Sequence, residues 1–205
     1  MEARVRTPGR MSMSGDDLAG RRGVETDVYD PAEDSRLLAD VACEAVSESD
    51  LVADVGTGSG YVAATVTAET SARVLGTDLN PHACRRARDA GVEAVRANLV
   101  APFRADAFDV VLFNPPYLPA DAAAARDDWM EVALTGGETG REVVEAFLDD
   151  VGRVLSPDGY VLLLVSTLTG VDEVVDYAGE RGFSTVALAD ESFPFETLSV
   201  LKLVR

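Results

Sequence analysis

The stretch Leu51-Val52-Ala53-Asp54-Val55-Gly56-Thr57-Gly58-Ser59-Gly60 decides how this chain folds. A short apolar run reads as a strand, the alternate glycines read as a tight loop, and residues 61–68 read as the start of a helix. Glycine behind a strand lets the backbone turn sharply and come close to a ligand. The spacing is GxGxG, not the GxGxxG of dinucleotide binders, and no phosphate-binding lysine follows it. The loop therefore predicts a nucleoside held without a phosphate clamp. About eighteen residues past Gly60, Asp78 closes the next run, Arg73-Val74-Leu75-Gly76-Thr77. An acid ending the second strand of such a unit is placed to take both hydroxyls of a ribose. The same residue also suits an N-cap for a helix entered at Pro81.

Strand and helix patterns alternate outward from this unit. Strands are predicted near 51–55, 73–78, 93–97, 108–113, 159–166, 183–189 and 197–204, and helices near 61–70, 81–90, 140–155 and 170–181. A further helix is expected over 31–46, with Leu37, Leu38, Val41 and Ala45 on one face, Asp30 as N-cap and Pro31 at its first position. In 140–155 the apolar stripe is Val143, Val144, Phe147, Val151, Val154 and Leu155, stopped by Pro157 and Gly159. Repeated alternation makes an α/β fold with a doubly wound, mostly parallel sheet. Only residues 191–195 separate the last two strands, so these pair antiparallel. Residues 1–22 lack periodicity and are expected to form a flexible leader, leaving 23–205 as a single domain.

Behind the buried run Asp109-Val110-Val111-Leu112-Phe113 stands Asn114-Pro115-Pro116-Tyr117. The prolines fix φ and remove two backbone donors, and Pro115 drives Asn114 toward an extended conformation. The expected result is a rigid turn at a strand's C-terminal end, offering one side-chain oxygen and several carbonyls. Such a turn can grip a planar –NH2 group. Asn114 takes one hydrogen, the Pro115 carbonyl takes the other, and Tyr117 stacks on the group's face. A plain Pro-Pro turn is the other reading of the tetrapeptide. A nucleoside loop and an amine-gripping turn together point to S-adenosylmethionine and methyl transfer to nitrogen. An amide nitrogen is a poor nucleophile, so orientation and preorganised dipoles would supply most of the rate.

Six segments carry a resemblance to a known family. They are residues 28–35 (VYDPAEDS), DVGTGSG at 54–60, TDLNP at 77–81, FNPPY at 113–117, GGETGRE at 136–142 and ETLSVL at 196–201. Together they resemble the archaeal and eukaryotic branch of the HemK-type glutamine methyltransferases, over nearly the whole span from residue 23 to 205. The resemblance implies the seven-stranded, Rossmann-like plan of class I methyltransferases, in strand order 3-2-1-4-5-7-6 with the last strand antiparallel. It implies methylation of the glutamine in the Gly-Gly-Gln motif of a class I release factor. It also implies roles along the cofactor. Gly56 and Gly58 lie against its methionine and ribose parts, Asp54 anchors the loop or the ammonium, and Asp78 takes the ribose. Tyr29 and Ser35 close over the methionine end, and Leu99 packs beside the adenine. Asn98 stands where the family commonly has Asp, so its bond to the adenine amine lacks charge assistance. Segment 129–142 would line the substrate side. Members of this branch work with a small zinc-containing activator subunit, here expected on strand 93–97 with Val92 and Val95 as apolar surface beside it. An unpaired edge is a natural site for strand addition.

Composition narrows the alternatives. The chain has 205 residues, with 36 acids against 18 bases and a formal charge of −18; Lys202 is its only lysine. Such repulsion is screened in molar salt, which reads as a halophilic archaeon's cytoplasmic protein. An acidic protein from a GC-rich genome is the alternative. The charge weighs against phosphate-backbone binding, and hence against amino methylation of DNA or RNA. Lysine methylation of another protein and a non-enzymatic cofactor-binding scaffold are the remaining readings. No apolar run reaches the ~20 residues of a membrane span. Cys43, Cys84 and the single His82 show no metal-ligand spacing.

Overall fold

Period-two alternation along the strands sorts the apolar side chains onto two faces of one sheet. The computed structural model describes residue 28 and residues 31–117 and 136–205. Their elements are α1 (Glu33–Ala45), β1 (Leu51–Val55), α2 (Tyr61–Thr70), β2 (Arg73–Asp78), α3 (Pro81–Asp89), β3 (Glu93–Arg96) and β4 (Phe108–Phe113). Then come α4 (Glu142–Val154), β5 (Leu155–Ser166), a 3-10 turn (Thr167–Thr169), α5 (Val171–Glu180), β6 (Ser184–Ser192) and β7 (Thr197–Val204). The sheet order is β3-β2-β1-β4-β5-β7-β6. Strand β7 lies antiparallel between β5 and β6, and the other neighbours pair in parallel. This is the expected plan, and strand order reverses between β1 and β4, where open α/β sheets leave a crevice.

On one face Ala53, Val55, Val111, Phe113 and Leu163 pack against Val144, Phe147 and Val151 of α4 and Val174 of α5. On the other, Val52, Val110, Leu112, Leu162 and Leu164 pack against Leu38, Ala39 and Ala42 of α1 and Val62 and Val66 of α2. Each fully buried Leu or Phe contributes roughly 1.5–3 kcal/mol. Asp109 interrupts the apolar run for a reason. Its carboxylate accepts from Leu51 N at 2.9 Å and from Ser156 Oγ at 2.9 Å, tying the starts of β1 and β5 to β4.

The structure corrects several boundaries. Helix α1 begins at Glu33 with Ala32 in the cap position and no side-chain cap, while Asp30 lies outside the described residues. Its deepest face is Ser35, Leu38, Ala39 and Ala42; Leu37, Val41 and Ala45 flank it. The small alanines let the helix approach the sheet closely. Helix α4 passes directly into β5 at Leu155, and a register shift between Phe108 and Val110 absorbs the irregular start of that strand. The expected leader at 1–22 lies outside the described residues.

Strand β3 is an edge, as expected, but its surface differs. Val92 is buried in the α2-side core, so the apolar surface there comes from Val95 and Leu79. Ala97 N donates inward to Asp78 O at 3.0 Å. Period two then turns the main chain of Ala94 and Arg96 outward, and Ala94 O is met by Arg88 Nε at 2.8 Å.

Candidate active site

The glycine loop leaves β1 at the crevice. Thr57 N donates to Thr77 O at 2.8 Å, which ties the loop to β2. Gly58, at φ +54°, donates its N–H to Asp78 Oδ2 at 3.0 Å, and Asn80 N donates to Asp78 Oδ1 at 2.8 Å. Two main-chain donors thus fix the carboxylate while it keeps acceptor capacity, since a carboxylate offers about four lone-pair sites. Burial raises its pKa. The helix cap before Pro81 is Asn80, whose side chain accepts from His82 N at 2.8 Å, so Asp78 does not cap α3.

Asp54 is 3% exposed and accepts from Thr57 Oγ1 at 2.6 Å. Burial pushes its pKa up to about 7, against the lowering effect of the Thr57 hydroxyl and with a smaller upward push from Asp78. The folded chain therefore holds a proton that the unfolded chain releases near pH 4. Stability falls as pH rises from about 4 to 7, and the loss is complete above 7, on the order of a few kcal/mol. Asp54→Asn should raise the thermal midpoint of the ligand-free chain at pH 8 by several degrees, and by about a third as much at pH 5. Equal midpoint differences at the two pH values would rule out a protonated Asp54.

Ser35, Asp54, Gly56, Gly58, Asp78, Asn98 and Leu99 line one cavity of about 450 Å3, together with Asn114, Pro115 and Tyr117. Every predicted site residue within the described residues is thus brought together; Tyr29 lies outside them. Leu99 sits at φ +48°, a strained conformation for a bulky residue that costs of order 1–3 kcal/mol. Among the described residues, buried Asn114 Oδ1 has no hydrogen-bond partner, and neither has Thr77 Oγ1. Asp34, Val143 and Glu196 also line the cavity. Sequence reading gave them no role, although Asp34 and Glu196 fall inside two of the quoted motifs. The signal for Asp34 was available: an acid four residues before Leu38 lies on the buried face of α1.

Segment 136–142 braces the turn at residues 114–117. A Cβ on Gly136 would meet the Pro116 carbonyl oxygen at 2.7 Å, so the two backbones touch. Gly136 O accepts from Glu142 N at 2.9 Å, the Glu142 carboxylate accepts from Thr139 N at 3.0 Å, and Arg141 donates to Thr169 O at 2.8 Å. Residues 129–135 of the expected substrate-side segment lie outside the described residues. Among the described residues no cluster of side chains could hold a metal ion, and both cysteines are free.

A carboxylate fixed by two main-chain donors and a buried, unpaired amide oxygen share one cavity at the switch point of the sheet. That is the layout of a transferase using a nucleoside cofactor. The methyltransferase domain family matches residues 52–159. A Methanocaldococcus jannaschii protein, provisionally named a protein N5-glutamine methyltransferase, is 32% identical over 87% of this chain and 92% of its own length. Human methyltransferase HEMK2 is 31% identical over 90% of this chain and 92% of its own. The E. cuniculi Mtq2–Trm112 complex, whose structure is described as responsible for methylation of the eRF1 termination factor, matches at TM-score 0.72 and 33% identity, over 87% of this chain and 98% of that one. The chain belongs to the archaeal and eukaryotic branch of the HemK-type protein-glutamine methyltransferases, class I enzymes that use S-adenosylmethionine.

Proposed function

We propose that this enzyme methylates the side-chain nitrogen of the glutamine in the Gly-Gly-Gln motif of an archaeal class I release factor. The orphaned Asn114 Oδ1 carries the reading. Leaving a buried acceptor unpaired costs about 1–3 kcal/mol, and a substrate –NH2 removes that cost. S-adenosylmethionine supplies a methyl group made electrophilic by its sulfonium. Asp78 takes the ribose hydroxyls, and Gly56 and Gly58 lie along the ribose and methionine parts. Asn98 and Leu99 hold the adenine, while Asp54, Ser35 and Tyr29 serve the methionine end. Asn114 and the Pro115 carbonyl hold both amide hydrogens, draw electron density toward nitrogen and aim it, with Tyr117 on the amide's face. The eRF1 methylation described for the Mtq2 complex supports a release factor as acceptor. The test is transfer of labelled methyl groups to purified release factor, tRNA and DNA in parallel, with the modified residue located by mass spectrometry. Label on nucleic acid, or on a lysine of the factor, would overturn the reading.

A small zinc-containing activator subunit is the proposed partner, and the two-chain composition of the Mtq2 complex supports it. Its proposed seat is β3, through the outward main chain of Ala94 and Arg96 and the exposed Val95 and Leu79. Ala94→Pro removes one outward donor and should cost most of the co-purified subunit while leaving the cofactor affinity of the isolated chain unchanged. Full stoichiometry in that variant would move the interface elsewhere. Ala97→Pro is no clean test, because its N–H serves Asp78 O.

The working environment proposed is the salt-rich cytoplasm of a halophilic archaeon. Raising potassium chloride from about 0.1 M to 1 M shortens the Debye length from roughly 10 Å to 3 Å. The thermal midpoint should climb by several degrees over that range as the −18 charge is screened. A flat or falling midpoint would refute the halophilic reading.

A further inference from the structure

The turn between β6 and β7 reaches the cavity through a carboxylate that the transfer itself leaves unused. Its residues are Phe193-Pro194-Phe195-Glu196. Phe193 N donates to Glu196 O at 2.7 Å, and Pro194 presets φ within the turn. Glu196 Oε2 accepts from Ser166 Oγ at 2.6 Å; Ser166 is fully buried, and its oxygen accepts in turn from Leu168 N at 3.1 Å. Thr197 N donates to Thr167 Oγ1 at 3.0 Å, so the tip is pinned to the end of β5 at a second point. The other oxygen of Glu196 takes no hydrogen bond among the described residues, and the residue lines the cavity that holds Asn114. Directly beside it Phe195 is 92% exposed, and Leu168, on the 3-10 turn to which the tip is pinned, is 44% exposed.

We infer that this turn is the docking element for the acceptor polypeptide, with Glu196 receiving a main-chain N–H of the acceptor and Phe195 covering an apolar side chain next to it. The inference rests on the transfer reading proposed above and adds the surface that selects the acceptor. A polypeptide fits because its main chain offers N–H donors and its side chains apolar surface at neighbouring positions. A nucleic acid would bring phosphates into direct contact with the Glu196 carboxylate, at a range where salt screens least. Continuity with the cavity fixes the direction of approach: the residue that lines it and the residue that stands outside it are neighbours in sequence. The pinning matters because a rigid anchor loses less freedom when the acceptor arrives.

The test uses the chain co-expressed with its small subunit and steady-state transfer to purified release factor. Phe195→Ala and Glu196→Gln should each raise KM for the factor by about tenfold, the effect of removing an interface anchor. Their kcat and their KM for S-adenosylmethionine should stay near the parent's, as expected for lost uniform binding. Phe195→Leu should recover most of the loss. Val186→Ala, on the outer edge of β6 and 57% exposed in the parent, should leave KM alone. Unchanged KM in both tip variants, a fall in kcat without a rise in KM, or an equal rise in Val186→Ala would each overturn the inference. If the parent methylates no release factor, the transfer reading itself falls, and the docking surface falls with it.

Discussion

Asn114→Ala should lower methyl transfer by about two powers of ten or more, the usual cost of removing a preorganised dipole at the reacting group. S-adenosylmethionine affinity should stay close to the parent's. The reasoning starts from the strand. Phe113 is locked in the core against Phe147, with ring centroids 4.4 Å apart, so the residue after it is delivered at a fixed place. Pro115 is buried and holds the next step of the chain. Asn114 Oδ1 therefore waits unpaired in the cavity at a position the fold has already determined. Alanine removes that acceptor, and with it the proposed hold on the amide, without touching Asp78 or the glycine loop. Calorimetry for the cofactor and a rate measurement on one preparation separate the two effects. A variant that transfers at the parental rate would exclude Asn114 from the acceptor site, and a variant that no longer binds cofactor would assign it to the other side.

Gly60→Ala should destabilise the chain by about 2–5 kcal/mol. Gly60 is the N-cap of α2 at φ +83°, where a Cβ costs roughly 1–2 kcal/mol. A Cβ there would also stand 2.9 Å from Ala87 Cα and 3.3 Å from Val92 Cγ2, and overpacking of that kind costs about 1–3 kcal/mol. Backbone cannot swing aside as a flexible side chain can. For a domain of this size the thermal midpoint should fall by roughly 5–15 °C. Gly91→Ala is the control. It shares a positive φ, +88°, but among the described residues nothing lies within 4 Å of its Cβ, so only the backbone part of the cost applies. Equal midpoints for the two variants would show that close packing against α3 is not what requires glycine at position 60.

The fold was legible in the sequence because its strands are continuous apolar runs and its breaks carry glycine or proline. Strands β1, β2, β4 and β7 stand where the pattern put them. What pattern could not give is what depends on neighbours. The inward face of α1 is set by how closely Ala39 and Ala42 meet the sheet, not by which residues are largest. Val92 reads as edge surface until Gly60 opens a space for it to fill. The direction of each β3 amide depends on register with β2, which no local motif encodes. The site was legible in its motifs, and the cavity gathers their residues. Glu196 was missed because a lone acid before a strand looks like solvent-facing charge. Its importance appears only when Ser166, thirty residues earlier, is found beneath it.

The β3 edge and the nucleoside pocket share a wall. Asp78 presents its carboxylate to the cavity and its carbonyl to Ala97, Leu79 O is held by Arg96 Nε at 2.9 Å, and Leu79 both lines the cavity and faces outward. A subunit seated on β3 as proposed would pair with Ala94 and Arg96 and stiffen the strap that carries Asp78. Where that stiffening favours cofactor binding, reciprocity requires the cofactor to tighten the subunit's hold by the same factor. Inside the cell, a shortage of the subunit would register at this enzyme as a shortage of methyl donor.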